Sequence, residues 1–322
     1  MKIDIFTHVV PESYKKAMGK IAPHLEAHTD QVPTLSDMER RFRIMDQYGD
    51  VRQVLTLGGT AARLLDEPAF AIDFARRAND SIAELVDRYP DRFAAGVASV
   101  PTSDSDAGLE ELDRAIEKLK LRGVQIFTPR KGKTLSLDDL ASLFEKMAAH
   151  DLPVWIHPML PIDRTDYKKY FIDHVFGWPY ESTAAMTSLA LDGLFDRFQN
   201  AKVIIHHCGA MAPFFDQRIA EAYHGSGTVH GTAHERPLTK PLIEAFKMFY
   251  GDTALSGGSA GLVCGYAFFG ASHLLFATDM PYDAEFGDRT VRQTLAAVER
   301  MPIDEREKQM IYYENAKGLL RL

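Results

Sequence analysis

Short apolar runs alternate with longer amphipathic ones along the whole chain, and few architectures accept that rhythm. Strand-like runs occupy residues 2–8, 51–57, 92–100, 123–127, 153–157, 202–207, 248–254 and 272–279. Several are almost continuous in apolar and β-branched residues, the pattern of strands buried on both faces of a parallel sheet. Between them, residues 35–48, 65–89, 108–121, 137–150, 181–198, 213–223, 261–270 and 290–300 carry apolar positions at helical spacing. Ser136 stands where an N-cap belongs, with Asp138 and Asp139 in the following turn. Asn200 and Gly270 sit just past helical runs, where terminating residues are found. Eight strands alternating with eight helices predict an α/β protein, a (β/α)8 barrel, as one domain over residues 1–322. The competing open doubly wound sheet favours a Gly-rich turn after its first strand, whereas here that strand ends in Thr7-His8-Val9-Val10-Pro11. Two segments, 11–33 and 225–237, are expected to be long loops.

Composition narrows the partners. Hydrophobic residues are 46% and charged residues 25% of the chain, enough apolar side chains for a large core and too many for a disordered segment. With 37 Lys plus Arg against 45 Asp plus Glu, the formal net charge is −8, which argues against nucleic acid and anionic membrane as partners. No stretch approaches the ~20 apolar residues of a membrane span. Two cysteines, Cys208 and Cys264, cannot build a disulfide framework and read as reduced thiols. The opening MKIDIFTHVVPE lacks a signal-peptide pattern, so a cytoplasmic location is expected.

The histidines are placed unevenly. His8, His157 and the pair His206-His207 stand at the C-terminal ends of predicted strands, and Asp279 ends the eighth. In a barrel those ends converge on one face, so residues remote in sequence meet in one cup. Imidazoles and a carboxylate together suit a borderline divalent cation such as zinc. A single such ion polarises a substrate oxygen or activates water, with a histidine of near-neutral pKa moving protons.

Five stretches carry a family resemblance. They are Asp4-Ile5-Phe6-Thr7-His8, Met45-Asp46 followed by residues 51–57, residues 154–158, His207-Cys208-Gly209, and Thr278-Asp279-Met280-Pro281. In this order and spacing the chain resembles the amidohydrolase superfamily, in the branch of aminocarboxymuconate semialdehyde decarboxylase and the aromatic-acid decarboxylases. The resemblance implies His8, His157 and Asp279 as metal ligands, with Asp279 also handling a proton. It makes His207 the catalytic histidine. In a regular strand His206 points the opposite way and is expected to pack outward. The resemblance further implies that Arg41 and Arg218 bind substrate carboxylate, Arg218 across a two-fold interface of a homodimer. Trp178, within the aromatic stretch 176–180, is a candidate wall for a planar substrate. Asp252 is expected to orient a neighbour by hydrogen bonding.

Two departures matter. The family usually begins His-x-His, and here the first position is Phe6, which cannot coordinate. Asp4 shares its strand parity and could assist from a deeper layer. Residues 123–127 contain no lysine to bridge two metals, and Lys131 and Lys133 come too late. One divalent ion is therefore expected, zinc first and manganese second. The function implied is a metal-dependent carboxy-lyase of an aromatic or unsaturated carboxylic acid. A metal-dependent hydrolase of an ester, lactone or amide is the alternative, and a metal-poor partner subunit the third reading.

Overall fold

The computed structural model describes residues 1–101, 106–128, 133–159, 170, 172–221 and 238–322. Its strands are β1 (Lys2–Val9), β2 (Val51–Leu57), β3 (Phe93–Gly96), β4 (Ala98–Ser99), β5 (Val124–Thr128), β6 (Val154–Pro158), β7 (Val203–Ile205), β8 (Gly251–Asp252) and β9 (Leu274–Leu275). β3 and β4 are the two halves of one predicted run, joined through Val97, whose N–H donates to Leu55 O at 2.9 Å. Parallel pairing runs β1-β2-β3, then β4-β5-β6-β7, then β8-β9.

Main-chain bonds close the ring. Ile205 N–H donates to Tyr250 O and Tyr250 N–H to Val203 O, both at 2.8 Å, which carries β7 to β8. Past β9, Ile5 N–H donates to Phe276 O at 3.0 Å, His8 N–H to Met280 O at 2.8 Å, and Asp279 N–H to Phe6 O at 3.1 Å. The last strand thus pairs in parallel with the first, and the sheet is a (β/α)8 barrel. Helices Met38–Met45, Ala71–Arg88, Asp106–Glu117, Leu137–His150, Trp178–Leu191, Ser259–Phe269 and Asp288–Glu299 follow the strands, and residues 216–221 are helical after β7.

Side-chain alternation divides two cores. Val124, Ile126, Val154, Ile156, Val203 and Ile205 face outward to the helices. Ile5, Phe6, Val54, Val97, Trp155, Ile204, Leu275 and Ala277 fill the barrel interior. In β1 the register slips by one residue between Asp4 and Thr7, so Ile5 and Phe6 both enter the interior, and His8 follows Phe6.

Several expectations change in detail. Residues 11–33 carry two helices, Glu12–Ile21 and Pro23–Asp30, which bury Tyr14, Met18, Leu25 and Thr29. Tyr14 and Met18 are one turn apart, a short amphipathic signal masked by the surrounding polar residues. The expected loop 225–237, the end of the expected helix 213–223, and Lys131 lie outside the described residues. Runs 248–254 and 272–279 shorten to β8 and β9 because side chains take over main-chain partners. Asp252 Oδ1 accepts from Ala254 N–H, Thr253 Oγ1 from Ala277 N–H, and Asp4 Oδ1 from Thr278 N–H. Ser136 occupies its N-cap position without a capping bond, and Asp192 Oδ2 instead accepts from Leu137 N–H at 2.9 Å.

Candidate active site

The strand ends bring His8, His157, His206, His207 and Asp279 to one mouth of the barrel. His8, in β1, holds the Asp279 carboxylate through Nε2 at 3.1 Å and Thr56 Oγ1 through Nδ1 at 2.9 Å. His157, in β6, has its ring 5.0 Å from that of His8, and its Nδ1 donates to Pro158 O at 2.7 Å. That bond leaves its Nε2 lone pair for a ligand. His207 Nε2 lies 3.8 Å from Asp279 Oδ2. The imidazoles and the acid expected to meet do meet.

The pair at the end of β7 differs from expectation. Ile204 faces the barrel interior, so a regular strand turns His206 inward as well, and His206 is fully buried. Its ring lies flat on Phe6 at 3.3 Å, and Asp252 Oδ2 holds its Nδ1 at 2.7 Å. His207 reaches the cup by another route. β7 ends at Ile205, and His207 and Cys208 both take left-handed backbone, each with φ of 58°, which swings the chain round. Outward packing of His206 is therefore corrected: its ring lies inside the barrel, and His207 approaches Asp279. Asp252 orients a neighbour as expected, and its Oδ1 also accepts from Cys208 N–H at 3.1 Å.

Arg41 is also placed differently. It is fully buried, donating from Nη1 to His8 O at 2.8 Å and Thr34 O at 3.2 Å, and from Nε to Gln53 Oε1 at 2.6 Å. A side chain so enclosed braces β1 and β2, and only its buried Nη2 is without a hydrogen-bond partner among the described residues. Burial lowers its pKa to about 10, against the opposing charge of Asp4. Asp4 is not free to assist at the mouth, because Thr278 Oγ1 at 2.6 Å and Thr278 N–H at 3.0 Å occupy its two oxygens. Burial raises the Asp4 carboxyl to about 7, with the Thr278 bonds and Arg41 opposing. Arg218 is exposed on the helical segment 216–221. Trp178 opens the helix Trp178–Leu191 with its ring 5.0 Å from His174.

Electrostatics separates the histidines. Burial, reinforced by His8 and His206, holds His157 well below the ordinary histidine value, so it is neutral and able to offer a lone pair. Burial likewise lowers His206, and Asp252 only partly offsets it. Burial also works against charge on His207, but the Asp279 carboxylate outweighs it and raises the pKa. Asp279 is pushed up by burial and pulled down more strongly by His207 and His8, so it stays ionised. The site thus pairs a fixed carboxylate with one histidine tuned upward, an arrangement for moving a proton.

Sequence reasoning missed three contributors. Thr56 fixes the His8 ring. Tyr282 lies 5.3 Å from His8, ring to ring, three residues past Asp279. Gly58-Gly59, just past β2, lets backbone close on the cup: a Cβ on Gly58 meets Tyr282 Oη at 2.7 Å, and one on Gly59 meets His157 Cε1 at 3.1 Å. The Gly-Gly pair was the available signal, since paired glycines past a strand mark close approach.

As to a metal, the donor chemistry fits. Several imidazoles and an ionised carboxylate share one mouth, and His206 Nε2 and His207 Nδ1 are buried with no hydrogen-bond partner among the described residues. Such atoms cost about 1–3 kcal/mol each when left unpaired. The direct His8–Asp279 bond has to open, because among the described residues no three His, Cys, Asp or Glu side chains are arranged to hold an ion without adjustment.

Known proteins resemble this chain in sequence and in fold. The chain is 28% identical over 299 residues to a gamma-resorcylate decarboxylase of Polaromonas sp., covering 89% of this chain and 88% of that one. It is 29% identical over 241 residues to a 2-amino-3-carboxymuconate-6-semialdehyde decarboxylase of Dictyostelium discoideum, covering 69% and 67%. In structure it resembles 5-carboxyvanillate decarboxylase from Sphingomonas paucimobilis, with a TM-score of 0.86 at 24% identity over 100% of this chain and 99% of that one. A dihydroxybenzoic acid decarboxylase from Polaromonas sp. JS666, solved with bound manganese and the inhibitor 2-nitroresorcinol, gives a TM-score of 0.80 at 24% identity over 100% and 97%. A family model described as Amidohydrolase matches residues 3–322, and the chain belongs to that family.

Proposed function

We propose that this protein is a metal-dependent decarboxylase of an aromatic or unsaturated carboxylic acid. The observation that carries the reading is the meeting of His8, His157, His207 and Asp279 at one barrel mouth. The names of the relatives, decarboxylases of aryl and muconate-type acids, favour a carboxy-lyase over a hydrolase. His8, His157 and Asp279 would hold one divalent ion, and manganese in a structural neighbour makes that metal as strong a choice as zinc.

When bound, the ion supplies a positive charge that orients a carboxylate or adjacent oxygen and stabilises charge developing there. The chain supplies the rest. Thr56 fixes the His8 ring, and the Pro158 carbonyl fixes that of His157. His207, held near Asp279 with a raised pKa, carries the proton that the substrate carbon gains as the carboxyl leaves. Phe6 and Phe127, each packed against His157, exclude water from the inner side of the cup. Trp178 is proposed as part of an aromatic wall. Arg218 is proposed to reach the partner's site in a homodimer.

The test is direct. Protein loaded in turn with zinc and manganese is incubated with a panel of hydroxybenzoic and unsaturated acids, and carbon dioxide and product are measured. Metal-dependent release from at least one acid, abolished in Asp279→Asn, is expected. Release indifferent to metal and to Asp279 overturns the reading, and ester cleavage without decarboxylation selects the hydrolase.

A further inference from the structure

We propose that His206 is itself a ligand of the divalent ion, on the side of the cup where Phe6 offers no lone pair. The inference rests on the metal-dependent reading above and adds a residue to it. His206 is fully buried and shares inward parity with Ile204. Its ring lies flat against Phe6, 3.3 Å between centroids and 13° between planes, and its centroid is 6.0 Å from that of His157. It therefore belongs to the same cluster of rings as two proposed ligands, with Phe6 4.4 Å from His8.

The surroundings of His206 are those of a ligand held ready. Asp252 Oδ2 accepts from Nδ1 at 2.7 Å, which fixes the tautomer and leaves the lone pair on Nε2. Asp252 is itself immobilised, because its Oδ1 accepts from Cys208 N–H at 3.1 Å and Ala254 N–H at 3.0 Å. A carboxylate behind the far nitrogen is the arrangement that orients histidine ligands and strengthens their basicity. Yet Nε2, the atom so prepared, is buried without a hydrogen-bond partner among the described residues. A cation in the cup would satisfy that lone pair.

The experiment measures metal binding, not turnover. Zinc affinity is determined by chelator competition, and cobalt absorption spectra are recorded, for wild type, His206→Ala, Asp252→Asn and the double variant Phe6→His with His206→Ala. Circular dichroism of each metal-free protein controls for folding. His206→Ala is expected to weaken binding at least 100-fold and change the cobalt spectrum, and Asp252→Asn to weaken it about 10–100-fold. The double variant is expected to recover at least tenfold, because Phe6→His places an imidazole beside the ring it replaces. In wild type, the His206 Nε2 nitrogen resonance should move when zinc is added, a measurement that stands even if a variant does not fold. Wild type that binds zinc with an unmoved His206 resonance, or a folded His206→Ala with unchanged affinity and spectrum, overturns this assignment alone. Wild type that binds no divalent ion overturns the metal-dependent reading with it.

Discussion

At Phe6 the chain places a phenyl ring among imidazoles, 4.4 Å from His8 and 5.5 Å from His157. A ring that cannot coordinate, set in that position, limits affinity for any ion bound by its neighbours. Phe6→His is therefore expected to tighten zinc binding by tenfold or more in chelator competition. Unchanged affinity would show that residue 6 does not share the cup with the ligands. His157 offers a second measurement, in metal-free protein. Its folded pKa lies below the unfolded value, so as pH falls through the ordinary histidine range of about 6.5 the unfolded chain takes up a proton that the folded chain refuses. Stability attributable to this residue is thus present above that pH and declines as pH falls below it. NMR titration should find His157 still neutral at pH 5.5, and His157→Phe should lose less stability than wild type between pH 7 and 5. A His157 that titrates at the ordinary value contradicts the burial argument. Asp4, with its folded value raised to about 7, acts in the opposite sense, so the comparison with the variant isolates His157.

Among the elements, β1 is held by more than its ladder. Arg41, from the helix Met38–Met45, spans to His8 O, Thr34 O and Gln53 Oε1 and so fixes the strand that carries His8 against β2. Arg41→Met leaves those buried acceptors unpaired, and is expected to cost roughly 2–4 kcal/mol and several degrees of melting temperature. The substrate KM of folded protein should stay close to wild type; a large rise in KM without loss of stability would return Arg41 to the substrate-binding role. This side chain also shows what the sequence leaves out. The barrel was legible because eight apolar runs repeat at regular intervals, and the cup because its side chains end those runs. Arg41 looked like a substrate-reading cation because residue type and position say nothing of burial. His206 looked outward because parity was anchored on His207, whereas the strand stops at Ile205 and left-handed backbone at His207 resets the direction. Such backbone at a non-glycine residue leaves no mark in the local pattern. The helices Glu12–Ile21 and Pro23–Asp30 were hidden for a simpler reason: each docks through only two buried residues, too few to set a period.

For the whole molecule, the chain segments after β6 and β7 expose several large apolar side chains. Phe214 is 75% exposed and Phe215 39%, immediately before the helical segment that carries exposed Arg218, and Val175, Phe176 and Tyr180 are exposed on the chain after β6. Exposed aromatic clusters of this kind mark association surfaces more often than isolated ones do. Two-fold dimers are the commonest soluble assembly, so a second copy of this chain is the expected occupant. In the homodimer proposed above, Arg218 of each copy would supply a cation for a carboxylate substrate in the other's site. Arg218→Ala is then expected to raise the KM for a carboxylate substrate about tenfold or more while metal content and dimer mass stay unchanged. Phe214→Asp should instead dissociate the dimer and lower activity with protein dilution. Light scattering and kinetics across a concentration series check both. An active monomer, or Arg218→Ala with unaltered KM, removes the shared site, because a surface arginine without such a role changes stability by less than ~0.5 kcal/mol and binding not at all.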